Sequence, residues 1–207
     1  MAFIKKQSNV SALQVEEPKS LDCPGLVVNL ANEAADTRRW AARDIIKCPD
    51  AANILLAQLR VEASLSVREV ILTTLIRLGD PDAVLGLSDF LRSEDAALRN
   101  EVLEAMKHLP DSVATIMQDL LLDKDADVRI FAVNILESLR HPDVEVWLMQ
   151  VIQKDAHINV CATALDLLSE VGTEAAIDAI NQVNIRFQNE PYIQFAADLA
   201  IKRIQES

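Results

Sequence analysis

Aromatic residues make up only 4% of this 207-residue chain, and glycine occurs four times. Sheets draw on aromatic and β-branched residues in their strands and on glycine in their turns, so both shortages argue against a β fold. Alanine and leucine dominate instead, a composition suited to helices with small, regular contacts. Cysteine is scarce as well. Cys23, Cys48 and Cys161 form no CxxC pair, and their odd number points to a reducing compartment rather than a disulfide framework. No apolar run approaches the roughly 18 residues needed to cross a bilayer. The opening MAFIKKQSNV leads into no apolar core of a secretory signal, so a cytoplasmic location is expected.

The groups that catalysis needs are also thin on the ground. The histidines are His108, His141 and His157, and none belongs to an HExxH or a Cys/His spacing that would hold zinc. No GxGxxG, phosphate-binding loop or GxSxG occurs. Aspartates and glutamates are plentiful, but they fall at helix caps and solvent faces, where any two could be called an acid/base couple. His108 and His141 fall at the ends of first helices, where a cation complements the helix dipole. No catalytic activity, cofactor or metal is expected.

Charge is one-sided and localised. Asp80 to Asp178 carries 20 acidic and 7 basic residues, a net of −13, while the remainder carries 12 and 13. An acidic middle repels phosphate backbones and anionic membranes, which excludes general nucleic-acid and membrane binding. It suits a partner with a basic surface, and it also keeps the chain soluble.

What is present is a self-repeat. Val67–Leu78 (VREVILTTLIRL), Leu98–Leu109 (LRNEVLEAMKHL), Val128–Leu139 (VRIFAVNILESL) and Val160–Val171 (VCATALDLLSEV) share one pattern. The second residues are Arg68, Arg99, Arg129 and Cys161, with Arg38 before them and Gln194 after. The steps are 30, 31, 30, 32 and 33 residues. A period in this range means stacked supersecondary units. In the fourth unit, Asp127 is a good N-cap, and Val128, Phe131, Ala132, Ile135, Leu136 and Leu139 share one helical face. His141-Pro142-Asp143 then starts a second helix with the stripe Val144, Trp147, Leu148, Val151 and Ile152. Each unit reads as a hairpin of two helices whose apolar stripes can be buried only by neighbours.

Asp125–Leu139 (DADVRIFAVNILESL) resembles the HEAT-like repeat signature, and the short period is similar to repeats of the phycobilisome-lyase type. The resemblance covers about Asp36 to the end. It implies an all-α, right-handed α-α superhelix of about five hairpin repeats plus terminal capping helices. The repeats fall near 36–65, 66–96, 97–126, 127–157 and 158–190, with a terminal helix over 191–207 whose polar face favours a monomer. The repeat domain is read as 21–207, with LVVNLAN a short helix over the first repeat, and 1–20 as a flexible arm.

Such a protein is expected to be a non-catalytic scaffold or adaptor, of bacterial type, that binds a protein partner. The alternative implied by the lyase-type repeat is a bilin lyase-like or chromophore-attachment chaperone. In HEAT-like families the repeated arginine holds consecutive units in register, which implies that role for Arg38, Arg68, Arg99 and Arg129, with Asp36, Asp95, Asp125 and Asp127 as local partners. Cys161 and Gln194 depart from the pattern and predict looser tethering of the last two units, with Cys161 a buried, inert thiol. The second helices of HEAT-like solenoids line a concave face where partners bind. Aligning them on Val84, Val113, Val144 and Ile177 puts Gly86, Asp89, Thr115, Gln118, Val146, Met149, Ala179 and Gln182 off the core stripe and on that face. Trp147 is expected to be core.

Overall fold

Asp22, Asp80, Asp95 and Asp125 each turn a carboxylate back onto the first amides of a helix, satisfying donors that no preceding turn can. Pro81 and Pro110 follow as first helical residues, where a missing N–H costs nothing. Gly79 closes one helix at φ 61°, a left-handed conformation in which a side chain would be strained. In the computed structural model, which describes residues 22–206, these signals delimit twelve helices and no strand among the described residues. The arm read over 1–20 lies outside the described residues. The cap of the fourth unit is Asp125, not Asp127, so that helix begins two residues before Val128.

The helices are α1 Cys23–Leu30, α2 Ala35–Asp44, α3 Ala51–Leu59, α4 Leu65–Leu78, α5 Pro81–Ser88, α6 Ala96–Lys107, α7 Pro110–Leu121, α8 Ala126–Leu136, α9 Val144–Lys154, α10 Ile158–Val171, α11 Ile177–Arg186 and α12 Pro191–Glu206. First helices stack on first helices in the order α2, α4, α6, α8, α10, with α12 closing that layer. Second helices form the other layer, α3 on α5 on α7 and α9 on α11. Of the stripe expected in the fourth unit, Val128, Ala132, Ile135, Leu136 and Leu139 are buried and Phe131 is half-buried, and on α4 Val67, Ile71 and Leu75 form the buried stripe. One continuous apolar core runs from Leu26 to Ile204. The result is an α-solenoid.

α1 covers the first end with Leu26 and Leu30. Here the structure corrects the reading of the cysteines: Cys23 at the start of α1 and Cys48 in the turn before α3 form a disulfide, their Cα atoms 5.6 Å apart and 25 residues apart in sequence. The odd count hid the pair, because Cys161 is the one left over. An eight-residue helix with two buried leucines is a weak cap alone. Cys48→Ser, or reduction, is therefore expected to lower stability by about 2 kcal/mol through the freed loop. Urea unfolding with and without reductant checks this. An unshifted midpoint would mean that Leu26 and Leu30 hold α1 unaided.

Candidate functional site

The repeated arginines come first, because they position everything else. Arg38, Arg68, Arg99 and Arg129 each occupy the fourth residue of a first helix. Each reaches back to a carbonyl six residues earlier: Arg38 to Asn32 O, Arg68 to Glu62 O, Arg99 to Ser93 O and Arg129 to Asp123 O. Three also reach forward to a carboxylate in the next inter-repeat loop. Arg38 grips Glu62 through Nε and Nη2, both at 2.8 Å, and Arg68 meets Asp95 at 2.8 Å. Arg129 grips Asp155 at 2.6 and 3.0 Å. The fork of the guanidinium suits this two-sided task.

The partners differ from those expected. Asp36 pairs with Arg39, Asp125 caps α8, Asp127 lies exposed in its first turn, and only Asp95 serves the ladder, for the arginine of the preceding unit. Arg38 holds the Glu62 carboxylate down from the ordinary 4.5 to about 2, aided by Ser64 N–H and Gln58 and opposed by burial. The Asp95 carboxyl is also lowered, first by the Leu98 amide and then by Arg68.

The last two units are not loosely tied. Cys161 is buried, and its Sγ donates to Asp155 O at 3.3 Å, the same six-residue reach. Burial pushes its thiol up. The guanidinium missing at that position comes from Arg186 at the end of α11, which donates to Ile152 O, Gln153 O and Asp155 O at 2.6–2.8 Å. Gln194 donates its amide to Asn184 O and Phe187 O.

On the second-helix face, Thr115, Gln118, Val146 and Gln182 are exposed, while Met149 is half-buried against the core. Trp147 is buried, its indole stacked on the His141 ring at 4.9 Å. His141 thus stands in the loop beyond α8, not at its end, whereas His108 does cap α6. Three of the positions expected on this face do something else. Asp89 is exposed but paired with Arg60 at 3.2 Å. Gly86 is half-buried: a Cβ there would lie 2.2 Å from Leu56, so its bareness lets α3 and α5 approach. Ala179 is buried at 3% exposure. The cause is a register slip of one residue. The buried stripe begins at Ala176, just before α11, and continues through Ala179, Ile180 and Val183, so alignment on Ala176 puts Asp178 and Asn181 outward in place of Ala179.

The feature that sequence reasoning missed is a break in this layer. α7 and α9 hardly touch, although every other neighbouring pair of second helices packs. Trp147 stands where the helices on either side carry Ile116 and Ala179, and it walls a cleft of about 410 Å³. Leu121 and Val151 line the cleft, and Leu122 stands at its rim, 76% exposed. Gln118, Gln150 and Lys154 also line it, as does the Arg129–Asp155 pair. This is the make-up of a binding site: an apolar body with a few convergent polar groups. Trp147 was legible in the sequence only as a core residue, and a missing helix contact leaves no local signal.

Among the described residues no group of three or more His, Cys, Asp or Glu is placed to hold a metal, and no helix is long and apolar enough to cross a membrane.

A two-layer stack of helical hairpins tied by an arginine ladder defines an α-solenoid repeat protein. The chain belongs to the HEAT-repeat family, whose sequence profile matches residues 52–129 and 113–200. Among solved structures it is similar to an engineered protein at 19% identity, covering 90% of this chain and 97% of that one with a TM-score of 0.41. A second engineered protein is similar at 17% identity, covering 90% and 100% with a TM-score of 0.42. The complex of CpcE and CpcF of phycocyanin lyase from Nostoc sp. PCC7120 is similar at 18% identity, covering 96% and 99% with a TM-score of 0.37. No curated protein matches the sequence.

Proposed function

We propose that this protein is a non-catalytic interaction scaffold whose second-helix face holds a protein partner, seated at the cleft between α7 and α9. HEAT repeats suggest a protein-interaction role. The observation that carries the finer reading is the cleft itself. It opens where the second helices part, beside the strongly exposed Leu122. An aromatic or leucine side chain of the partner enters between Trp147 and Leu122, an arrangement in which a buried anchor supplies most of the binding energy. The Gln118 and Gln150 amides, each with one acceptor and two donors, pair with the partner's backbone beside that anchor.

The test is a quantitative pull-down from native extract, comparing wild type with Gln118→Lys combined with Leu122→Glu. Both residues are exposed, so circular dichroism should stay unchanged. A protein retained by wild type and reduced about tenfold or more by the variant is the expected result, a loss of the size that removing one anchor produces. Equal retention of every captured protein would move the site off this cleft.

A further inference from the structure

The first-helix layer carries a second opening. α4 and α6 enclose a groove of about 570 Å³ with a floor of Leu72, Ile76 and Ala105. Leu65 stands at its edge, 62% exposed. From Leu65 to Ile76 the groove follows twelve residues of α4, eleven steps that span about 16 Å at roughly 1.5 Å each. Three acids line it, Glu69, Glu101 and Glu104, and no lysine or arginine does, with His108 at one end.

The state of these acids points to the occupant. Glu104 is paired with Lys107 at 3.0 Å, and Glu69 is exposed with no ion pair among the described residues. Glu101 is half-buried, and its Oε2 is sealed from solvent with no hydrogen-bond partner among the described residues. The nearby cation, Arg68, is already committed to Glu62 O and Asp95. Burial accordingly pushes the Glu101 carboxyl up. A buried carboxylate oxygen without a donor is costly, and the cost falls when a cation arrives with a hydrogen bond. An apolar floor with an acidic wall repels nucleic acid and anionic lipid, and it complements a helix with aliphatic residues on one face and basic residues beside them.

We propose that the α4–α6 groove is a second docking surface whose occupant is a basic amphipathic helix of a partner protein, setting aliphatic side chains on Leu65, Leu72 and Ile76 and a lysine or arginine against Glu101. This surface lies in the opposite layer from the α7–α9 cleft and stands or falls independently of it.

The probe is a fluorescein-labelled synthetic helix of leucine, alanine and lysine, about 18 residues or five turns long, with its leucines on one face. Its counterpart carries glutamate in place of every lysine. Fluorescence anisotropy at physiological salt should show the lysine helix binding wild type and the glutamate helix not binding. Glu101→Gln should weaken binding about tenfold, as loss of one charge-assisted bond does, and Leu65→Ser should weaken it as well. Glu137→Gln combined with Glu170→Gln, in the acidic groove between α8 and α10, should leave affinity unchanged. Amide exchange of the wild-type complex should show protection confined to α4 and α6, a readout that needs no variant to fold. Failure of the lysine helix to bind, equal binding of the glutamate helix, equal weakening by the control pair, or protection elsewhere would each overturn the proposal.

Discussion

Replacing Glu62 with alanine is expected to destabilise the first repeat by about 3 kcal/mol, the scale for breaking a buried ion pair by removing one member. Glu62 is 3% exposed, and its carboxylate accepts four hydrogen bonds: two from Arg38 at 2.8 Å, one from Gln58 at 3.0 Å and one from Ser64 N–H at 2.9 Å. Arg38 meanwhile donates to Asn32 O and Glu33 O, so one guanidinium ties the loop before α2 to the loop before α4. Repeat arrays share stability between neighbours. The loss should therefore show as faster amide exchange in α1 to α3, with α8 to α12 little changed. Uniform acceleration along the chain would show that the ladder does not act locally.

The same carboxylate predicts a pH dependence. Its folded pKa, about 2, lies below the ordinary 4.5. A depressed carboxylate contributes stability above its unfolded pKa and loses that contribution as pH falls toward the folded value. Stability should decline between pH 4.5 and 2, by about 2 kcal/mol after allowance for solvent screening. Glu62→Gln should flatten that part of a urea-midpoint profile. An unaltered profile would assign the acid sensitivity to other carboxylates.

The helical hairpins were legible because period and cap chemistry are local. Val67, Ile71 and Leu75 announce a face without help from anything distant. The arginines were legible as a repeated position for the same reason, since each sits at the fourth residue of its helix, and the resemblance to HEAT-like repeats implied their role as a register device. Their partners were not. The carboxylates lie 24 to 27 residues ahead, and which loop acid meets which arginine depends on how repeats stack. Arg186 was invisible because it belongs to a second helix and lies outside the repeated position, yet it fills the place left by Cys161. The disulfide was hidden by a third thiol, and Ala179 by a one-residue slip that its own stripe, Ala176–Ile180–Val183, could have revealed. The α7–α9 cleft rests on helices that do not meet, which periodicity cannot express.

The Asp155 loop is where the ladder changes hands, and it carries the other large expected effect. Asp155 receives Arg129 through its carboxylate and Arg186 and Cys161 through its carbonyl, while its Oδ1 also accepts His157 N–H at 2.8 Å. The Asp155 side chain is 8% exposed. Arg129→Ala should cost about 3 kcal/mol, because it strands that carboxylate with one remaining amide. Arg186→Ala should cost about 2 kcal/mol, because three carbonyls lose a charged donor but can turn toward water. The two arginines hold one loop from opposite repeats, so freeing it with either substitution weakens the other's grip. The double variant should therefore be less destabilised than the sum, by about 1 kcal/mol, which is coupling of the size seen between residues in one network. A double-mutant cycle by urea unfolding measures this term. Strict additivity would mean that the loop is rigid without either arginine, and that Arg186 is an independent clamp on α9 rather than the stand-in for the arginine absent at Cys161.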